Sequence, residues 1–561
     1  MATEPDFGDY LRVISITKTA SVFPKVLHPP KILTLSNLDR QCPVHMYLVF
    51  FYGHENNNLF VDRDSVFRGL KCGLEEALSV WYPAAGRLTL NPSDGNKLNL
   101  WCNNKGAILV EAETQVEISE LGDLSQYNDF LEKLVYKPVF DGDFSQMPLV
   151  VAQVTKFGCG GYSIGIGISH SLFDGPAAYD FMCAWASNSA VIMKQHKALE
   201  LPDKLPVHDR GTLLMGKFGH EAPKGVGAKF LQNGNDVVPS VLTRAAAVDH
   251  LYQLIMQAAA ASSDQIKLDQ IENNYVHKTF HLSGALIESL KREVFGGDMG
   301  GFSCSSFEVV AAHLWKAKTK ALGARKETMV CLQFAVDARN KVEPPLPEGF
   351  SGNAYVLASV ALTAGQVEQA THKAIVEKIR EAKNSVTSNY VKAYMEAAKT
   401  KALGARKETM VCLQFAVDAR NKVEPPLPEG FSGNAYVLAS VALTAGQVEQ
   451  ATHKAIVEKI REAKNSVTSN YVKAYMEAVA GPQTSLPPLK ELTLISDWTR
   501  MPFHKIGFLQ EAAAYASPLV SPIPQVAYFM QNPRDNRGID MRVGLLPHCL
   551  SAFTRYFLTN K

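Results

Sequence analysis

Between Ser65 and Trp81 the apolar residues Val66, Leu70, Leu74, Ala77, Leu78 and Trp81 recur every three or four positions. That spacing puts them on one face of a helix, which Pro83 must end. The period then changes. "RLTLNPSDGNKLNLW", from Arg87 to Trp101, alternates apolar and polar residues on either side of Asp94-Gly95 and predicts a hairpin. "PLVVAQVTKFGCGGYSIGIGIS" predicts two more strands, with Gly158, Gly160 and Gly161 at the turn between them. The second strand alternates Ile164, Ile166 and Ile168 with Ser163, Gly165 and Gly167 and delivers the chain to His170. Such a glycine face reads either as close backbone packing or as room for a substrate.

From about Met215 to Ile271 the periodicity weakens, apart from one helical stretch near "LYQLIMQAAAA", and this reads as a crossover. Beyond it come a strand ("YVHKTFHL"), a helix that Ser283 can cap ("GALIESLKREVF"), and "SSFEVVAAHLWKAKTKALG", where Phe307, Val310, Ala311, Leu314 and Trp315 lie at helical spacing behind Ser305 or Ser306. Strands alternating with helices in both halves predict a two-domain α/β protein with a cleft between the domains. The expected division is 1–215, 216–271 as linker, and 272–561.

An exact repeat interrupts the second half. The 81 residues 317–397 recur without a change at 398–478. Solenoid units are shorter and more numerous. The seams fall inside helical patterns, whereas a tolerated insertion falls in an exposed loop. The repeat therefore points to a duplicated exon, or to an error in assembling the sequence, and not to an extra folded module. One copy reads as strand ("TMVCLQFAVDAR"), Pro-rich loop ("PPLPEGFSG"), strand ("AYVLASVALTA") and helix; a sheet built for one has no ready slot for another.

Composition narrows the partners. Lys and Arg number 57 against 55 Asp and Glu, a net charge of +2, which supplies no basic stripe for nucleic acid. Hydrophobic residues at 46% are those of a globular protein. "MATEPDFGDYL" lacks the profile of a secretory signal and no apolar run is long enough to span a bilayer, so a cytoplasmic location is expected. Nine scattered cysteines without a Cys-x-x-Cys pair read as free thiols, with no metal site.

Several motifs compete for the chemistry. Gly161-Tyr162-Ser163-Ile164-Gly165 matches a hydrolase nucleophile pattern, but that elbow needs a helix after the serine, and here a strand continues through Ile168. No phosphate-binding glycine loop is present. His277 and His281 share one face of a strand without a third ligand, as a surface pair would. His170 stands at the end of a buried strand, followed by Asp174, Gly175 and Pro176. Asp174 can cap the next helix, and His170 on so rigid a loop suits a general base.

Five blocks in order, "YPAAGRL" (Tyr82 to Leu88), "HSLFDG" (His170 to Gly175), "SSFEVVAAHLW" (Ser305 to Trp315), "PPLPEGFSGN" (Pro344 to Asn353, repeated from Pro425 to Asn434) and "SDWTRMPF" (Ser496 to Phe503), resemble the plant BAHD acyl-CoA-dependent acyltransferases over nearly the whole chain. The resemblance implies two similar chloramphenicol-acetyltransferase-like α/β domains with a channel between them, in a monomer. It implies acyl-CoA as co-substrate, no permanently bound cofactor, and a small-molecule acceptor. His170 would take the proton from an acceptor hydroxyl or amine, Asp174 would order the loop through a salt bridge, and Ser496 and Trp498 would donate to the oxyanion. Where the family carries Asp-Phe-Gly-Trp-Gly, this chain has Gly507-Phe508-Leu509-Gln510-Glu511, and Lys341 (Lys422 in the repeat) stands where a second arginine is common. A branch linked to brassinosteroid modification also lacks that block, which makes a steroid hydroxyl the first expectation for the acceptor. The alternative is a non-catalytic member of the family acting as a binding or regulatory protein.

Overall fold

The computed structural model describes residues 13–40, 44–53, 63–91, 97–139, 143–192, 205–210, 275–295, 304–391, 394–395, 410–418, 436–444, 458, 461, 492–509, 511–519 and 525–559. The crossover expected over 216–271, the Asp94-Gly95 turn and Lys422 lie outside them.

Two six-stranded mixed sheets organise the molecule. The first runs Ser15–Val22, Ala107–Glu113, Val150–Lys156, Tyr162–Ser169, His45–Tyr52 and Tyr515–Pro518. The second runs Tyr355–Thr363, Met329–Asp337, Leu492–Asp497, Val526–Gln531, Ile539–Leu545 and Val276–Leu282. A three-stranded sheet holds the expected hairpin, Arg87–Asn91 against Lys97–Cys102.

On the first sheet lie helices Arg63–Val80 and Gly175–Ile192. They pack so closely that the Trp185 indole donates to the Leu70 carbonyl at 2.8 Å, and a Cβ on Gly73 would sit 2.1 Å from the Ser189 hydroxyl. Gly284–Phe295, Ser306–Leu322, His372–Asn384 and Leu550–Thr559 belong to the second half. The Ser306–Leu322 helix opens as its sequence predicts: Ser305 accepts from the Glu308 amide, and Glu308 reaches back to the Ser305 N–H. Leu314 and Trp315 on that helix are buried.

The halves are stitched together by strand exchange. Tyr515–Pro518, which the linear division counts with the second half, pairs antiparallel with His45–Tyr52 and forms the edge of the first sheet. In return, residues 205–210 lie against the Pro-rich loop of the second half, Val207 N donating to the Gly349 carbonyl at 2.8 Å and Ser351 N to the Val207 carbonyl at 3.0 Å.

Both copies of the repeat form the same hairpin. Met329↔Thr363 through Asp337↔Tyr355 recur as Met410↔Thr444 through Asp418↔Tyr436. Only the first copy enters the large sheet, where Cys331 to Phe334 run parallel to Leu492 to Ile495. Among the described residues the second hairpin remains a two-stranded sheet.

Candidate active site

His170 is held by backbone before any side chain acts. Its N–H donates to the Val44 carbonyl at 2.8 Å, and the Leu172 and Phe173 amides turn back onto the Ser169 carbonyl. Asp174 then caps the following helix, accepting from the Ala177 amide at 3.2 Å. Its partner, which no spacing in the sequence reveals, is Arg339 of the second half: Nη1 to Oδ2 at 2.8 Å and Nη2 to Oδ1 at 2.9 Å. The Ala354 amide adds 3.1 Å to Oδ2, so both carboxylate oxygens are engaged away from the imidazole. Burial works against the Arg339 charge, but the Asp174 and Asp337 carboxylates raise its pKa above the ordinary value.

The imidazole itself is half-buried. Its Nδ1 lies 3.1 Å from Asn353 Oδ1, and the Tyr355 ring centre is 5.7 Å away. Among the described residues no protein group hydrogen-bonds Nε2. Burial pulls the His170 pKa below 6.5, while a hydrogen bond to its own backbone carbonyl and then Asp174, Asn353 and Asp39 act in the opposite sense. Asn353 is fully buried, its amide nitrogen 2.7 Å from the His170 carbonyl and 2.9 Å from Asp39 Oδ1. Asp39 is equally buried in the short helical turn Asn37–Arg40. No local pattern in the sequence gives a role to Asp39, Asn353 or Arg339; the block ending at Asn353 is the one signal it carries.

Ser496 and Trp498 meet each other. The Trp498 indole N–H donates to Ser496 Oγ at 3.0 Å, so it is committed to the serine in this structure. Trp498 is buried and Ser496 half-buried. Their segment packs on the helix that follows His170. Phe503 meets the Tyr179 ring at 5.5 Å, and a Cβ on Gly175 would strike Met501 Cε at 2.8 Å, which accounts for glycine there. Phe508, the surviving residue of the altered block, is fully buried, with ring centres 5.6 Å from Phe50 and 5.0 Å from Trp185. Its role here is to anchor the exchanged segment in the first core.

The glycine face of the His170 strand offers no room for a substrate. A Cβ on Gly165 would lie 2.0 Å from the Leu134 carbonyl oxygen and one on Gly167 2.5 Å from the Tyr47 ring. Close packing is the reading that holds. Ser163 is sealed within the same strand, with no access for a substrate. His277 and His281 stay apart in role: burial lowers His277 to about 4, while His281 hydrogen-bonds Asp540 at 3.0 Å. Among the described residues no group of three or more His, Cys, Asp or Glu could hold a metal ion, and no helix is long and apolar enough to cross a membrane.

Two α/β halves, each built on a six-stranded mixed sheet, meet at a half-buried histidine whose loop and ring are held by side chains of the second half. The family model described as "Transferase family" matches residues 12–409 and again 389–558, and the chain belongs to this family, the BAHD acyltransferases, in its brassinosteroid-related branch. It is 46% identical to Brassinosteroid-related acyltransferase 1 of Arabidopsis thaliana, covering 97% of this chain and 98% of that one. It is 30% identical to rosmarinate synthase of Plectranthus scutellarioides, covering 68% and 79%. The fold is similar to that of vinorine synthase (TM-score 0.58, 17% identity, 98% of both chains). It is also similar to TRI101 of F. sporotrichioides (TM-score 0.57, 12% identity, 93% and 97%).

Proposed function

We propose that the chain transfers an acyl group from an acyl-CoA thioester to a hydroxyl of a small, largely apolar acceptor, with His170 as general base and no acyl-enzyme. The observation that carries this reading is the His170 imidazole. Its Nδ1 is engaged by Asn353, its Nε2 is unengaged among the described residues, and burial pulls its pKa downward from the ordinary histidine value, which favours the neutral ring.

Nε2 accepts the hydroxyl proton as the acceptor oxygen attacks the thioester carbonyl carbon. The oxyanion that forms takes a hydrogen bond from Ser496; Trp498 donates to Ser496 Oγ and thereby frees the hydroxyl proton for that bond. Collapse of the intermediate breaks the C–S bond. The leaving thiolate takes the proton from the imidazolium, which gives an ester, CoA thiol and neutral His170. Coenzyme A as co-substrate is supported by the TRI101 complex with coenzyme A and T-2, and a steroid acceptor by the name of the 46% identical relative.

The test is release of free thiol from a panel of acyl-CoAs in the presence of steroid and other plant hydroxyl compounds. His170→Ala should lower turnover by about 10²–10⁴-fold with an unchanged circular dichroism spectrum. Near-normal turnover in that variant would overturn the reading.

A further inference from the structure

In this site the Asp174 carboxylate cannot orient the histidine, because Arg339 and two backbone amides hold it. Two acceptors remain to fix which ring nitrogen carries the proton, the backbone carbonyl of His170 itself and Asn353. Asn353 has a forced orientation. Its amide nitrogen faces two groups that can only accept, the His170 carbonyl at 2.7 Å and Asp39 Oδ1 at 2.9 Å. The atom turned to the ring, 3.1 Å from Nδ1, is therefore the amide oxygen, which also can only accept. A proton on Nδ1 follows, and with it a lone pair on Nε2.

Behind Asn353 stands Asp39. Oδ1 accepts both the backbone and side-chain N–H of Asn353 at 2.9 Å, and Oδ2 accepts the Ser36 amide at 2.9 Å and hydroxyl at 2.7 Å. Among the described residues no cation hydrogen-bonds this carboxylate, although it is fully buried. Four neutral donors hold it by hydrogen bonds, and its charge also acts on the buried Arg210 guanidinium without a hydrogen bond between them. The amide between is polarised by that charge, so its oxygen becomes a better acceptor for Nδ1–H when the ring turns into imidazolium.

We propose that Asp39 and Asn353 are positioning residues for the acyl transfer, an indirect carboxylate that acts on His170 through an amide, locking the Nδ1–H tautomer and stabilising the imidazolium. This rests on the assignment of His170 as general base. The other charged or titratable groups around the ring are Asp174 on its own loop, Tyr355, and His45 on the neighbouring strand, which is bonded to the Pro148 carbonyl and lowered by burial to about 4. Arg339 and Arg210 lie behind Asp174 and Leu172. Among the described residues only Asp39 reaches Nδ1 through a single amide.

The test uses the full chain and the pH dependence of kcat. Asp39→Asn removes the charge and should lower kcat on the order of a hundredfold with KM for acyl-CoA little changed. Its acid limb should move to lower pH, because the anion that favours imidazolium is gone. Asn353→Ala, made together with Asn434→Ala because the repeat carries the same residue, removes the acceptor at Nδ1 together with the link to Asp39 and should likewise move the limb to lower pH. Should Asp39→Asn fail to fold, the paired variant still decides. Limbs that stay in place in both variants, or a loss confined to KM, would overturn the proposal. An active His170→Ala would instead remove the base assignment itself, and the two failures are thus distinct.

Discussion

Asp174 and Arg339 face each other across the boundary between the two halves, each oxygen of the carboxylate on a separate nitrogen of the guanidinium at 2.8 and 2.9 Å. The same guanidinium reaches the Phe350 and Gly352 carbonyls at 3.3 and 3.2 Å, so one ion pair fixes both the His170 loop and the loop that ends in Asn353.

Asp174→Ala should therefore act on stability. It leaves the largely buried Arg339 cation without its carboxylate, and breaking such a pair on one side costs about 3–5 kcal/mol. Denaturant unfolding of Asp174→Ala and His170→Ala should separate the two: the first shifts the midpoint strongly, the second loses activity at a nearly unchanged midpoint. Equal midpoints would mean that Asp174 does not hold the loop.

The Trp498–Ser496 hydrogen bond ranks two neighbours that the sequence presents as equal donors. If Ser496 is the group that meets the oxyanion, Ser496→Ala should lower kcat by about 10²–10³-fold, the usual cost of one lost oxyanion donor. Trp498→Phe keeps the packing against Phe503 and Tyr528 and removes only the bond that aims the serine hydroxyl. Its loss should be smaller, on the order of tenfold. A larger loss in Trp498→Phe than in Ser496→Ala would reverse the ranking.

A buried hydrogen-bond chain in the second half sets an acid limit on stability. His313 lies 2.8 Å from the Phe557 carbonyl and 3.2 Å from His372, which in turn meets Glu293 at 2.9 Å. Burial lowers His313 from 6.5 to about 4, so the unfolded chain takes up this proton first as the pH falls. Stability should be full above pH 6.5, decline between 6.5 and about 4, and level off below, for a loss of roughly 3 kcal/mol from this group. His313→Gln should flatten that part of the unfolding midpoint against pH. An unchanged slope would place the acid sensitivity elsewhere.

Local rules carried the reading as far as the elements and the His170 loop. Ser283 and Ser305 cap the helices that follow them, because capping is settled within three residues. The partners of that loop obey no local rule. Asn353 is 183 residues from His170 and 314 from Asp39, and Arg339 is 165 from Asp174. Only the folding of one half onto the other brings them together. Tyr515–Pro518 is four residues long and ends in proline, too short a run for alternation to mark it as a strand. The glycine face left two readings open because a strand's pattern shows which side chains are small and not what fills the space beside them.

The repeat offers a sharper comparison, since one sequence occupies two environments. The first hairpin gains a parallel neighbour at Leu492–Asp497, and the strand pairing of the second copy repeats its register without joining the large sheet among the described residues. If the sheet needs one copy, the other adds chain length and loop entropy without enlarging the core; longer closed loops cost only slightly more, about 0.6 kcal/mol per doubling. Deleting 398–478 from the 561 residues leaves 480 and rejoins Ala397 to Val479, so that "YVKAYMEA" runs on into "VAGPQ" as it does after the second copy. The shortened chain should fold with the same circular dichroism per residue, keep its thiol-releasing turnover within a fewfold, and unfold at the same or a slightly higher temperature. Loss of activity with the fold intact would show that the second copy contributes to the site. Failure to fold would show that it is part of the core.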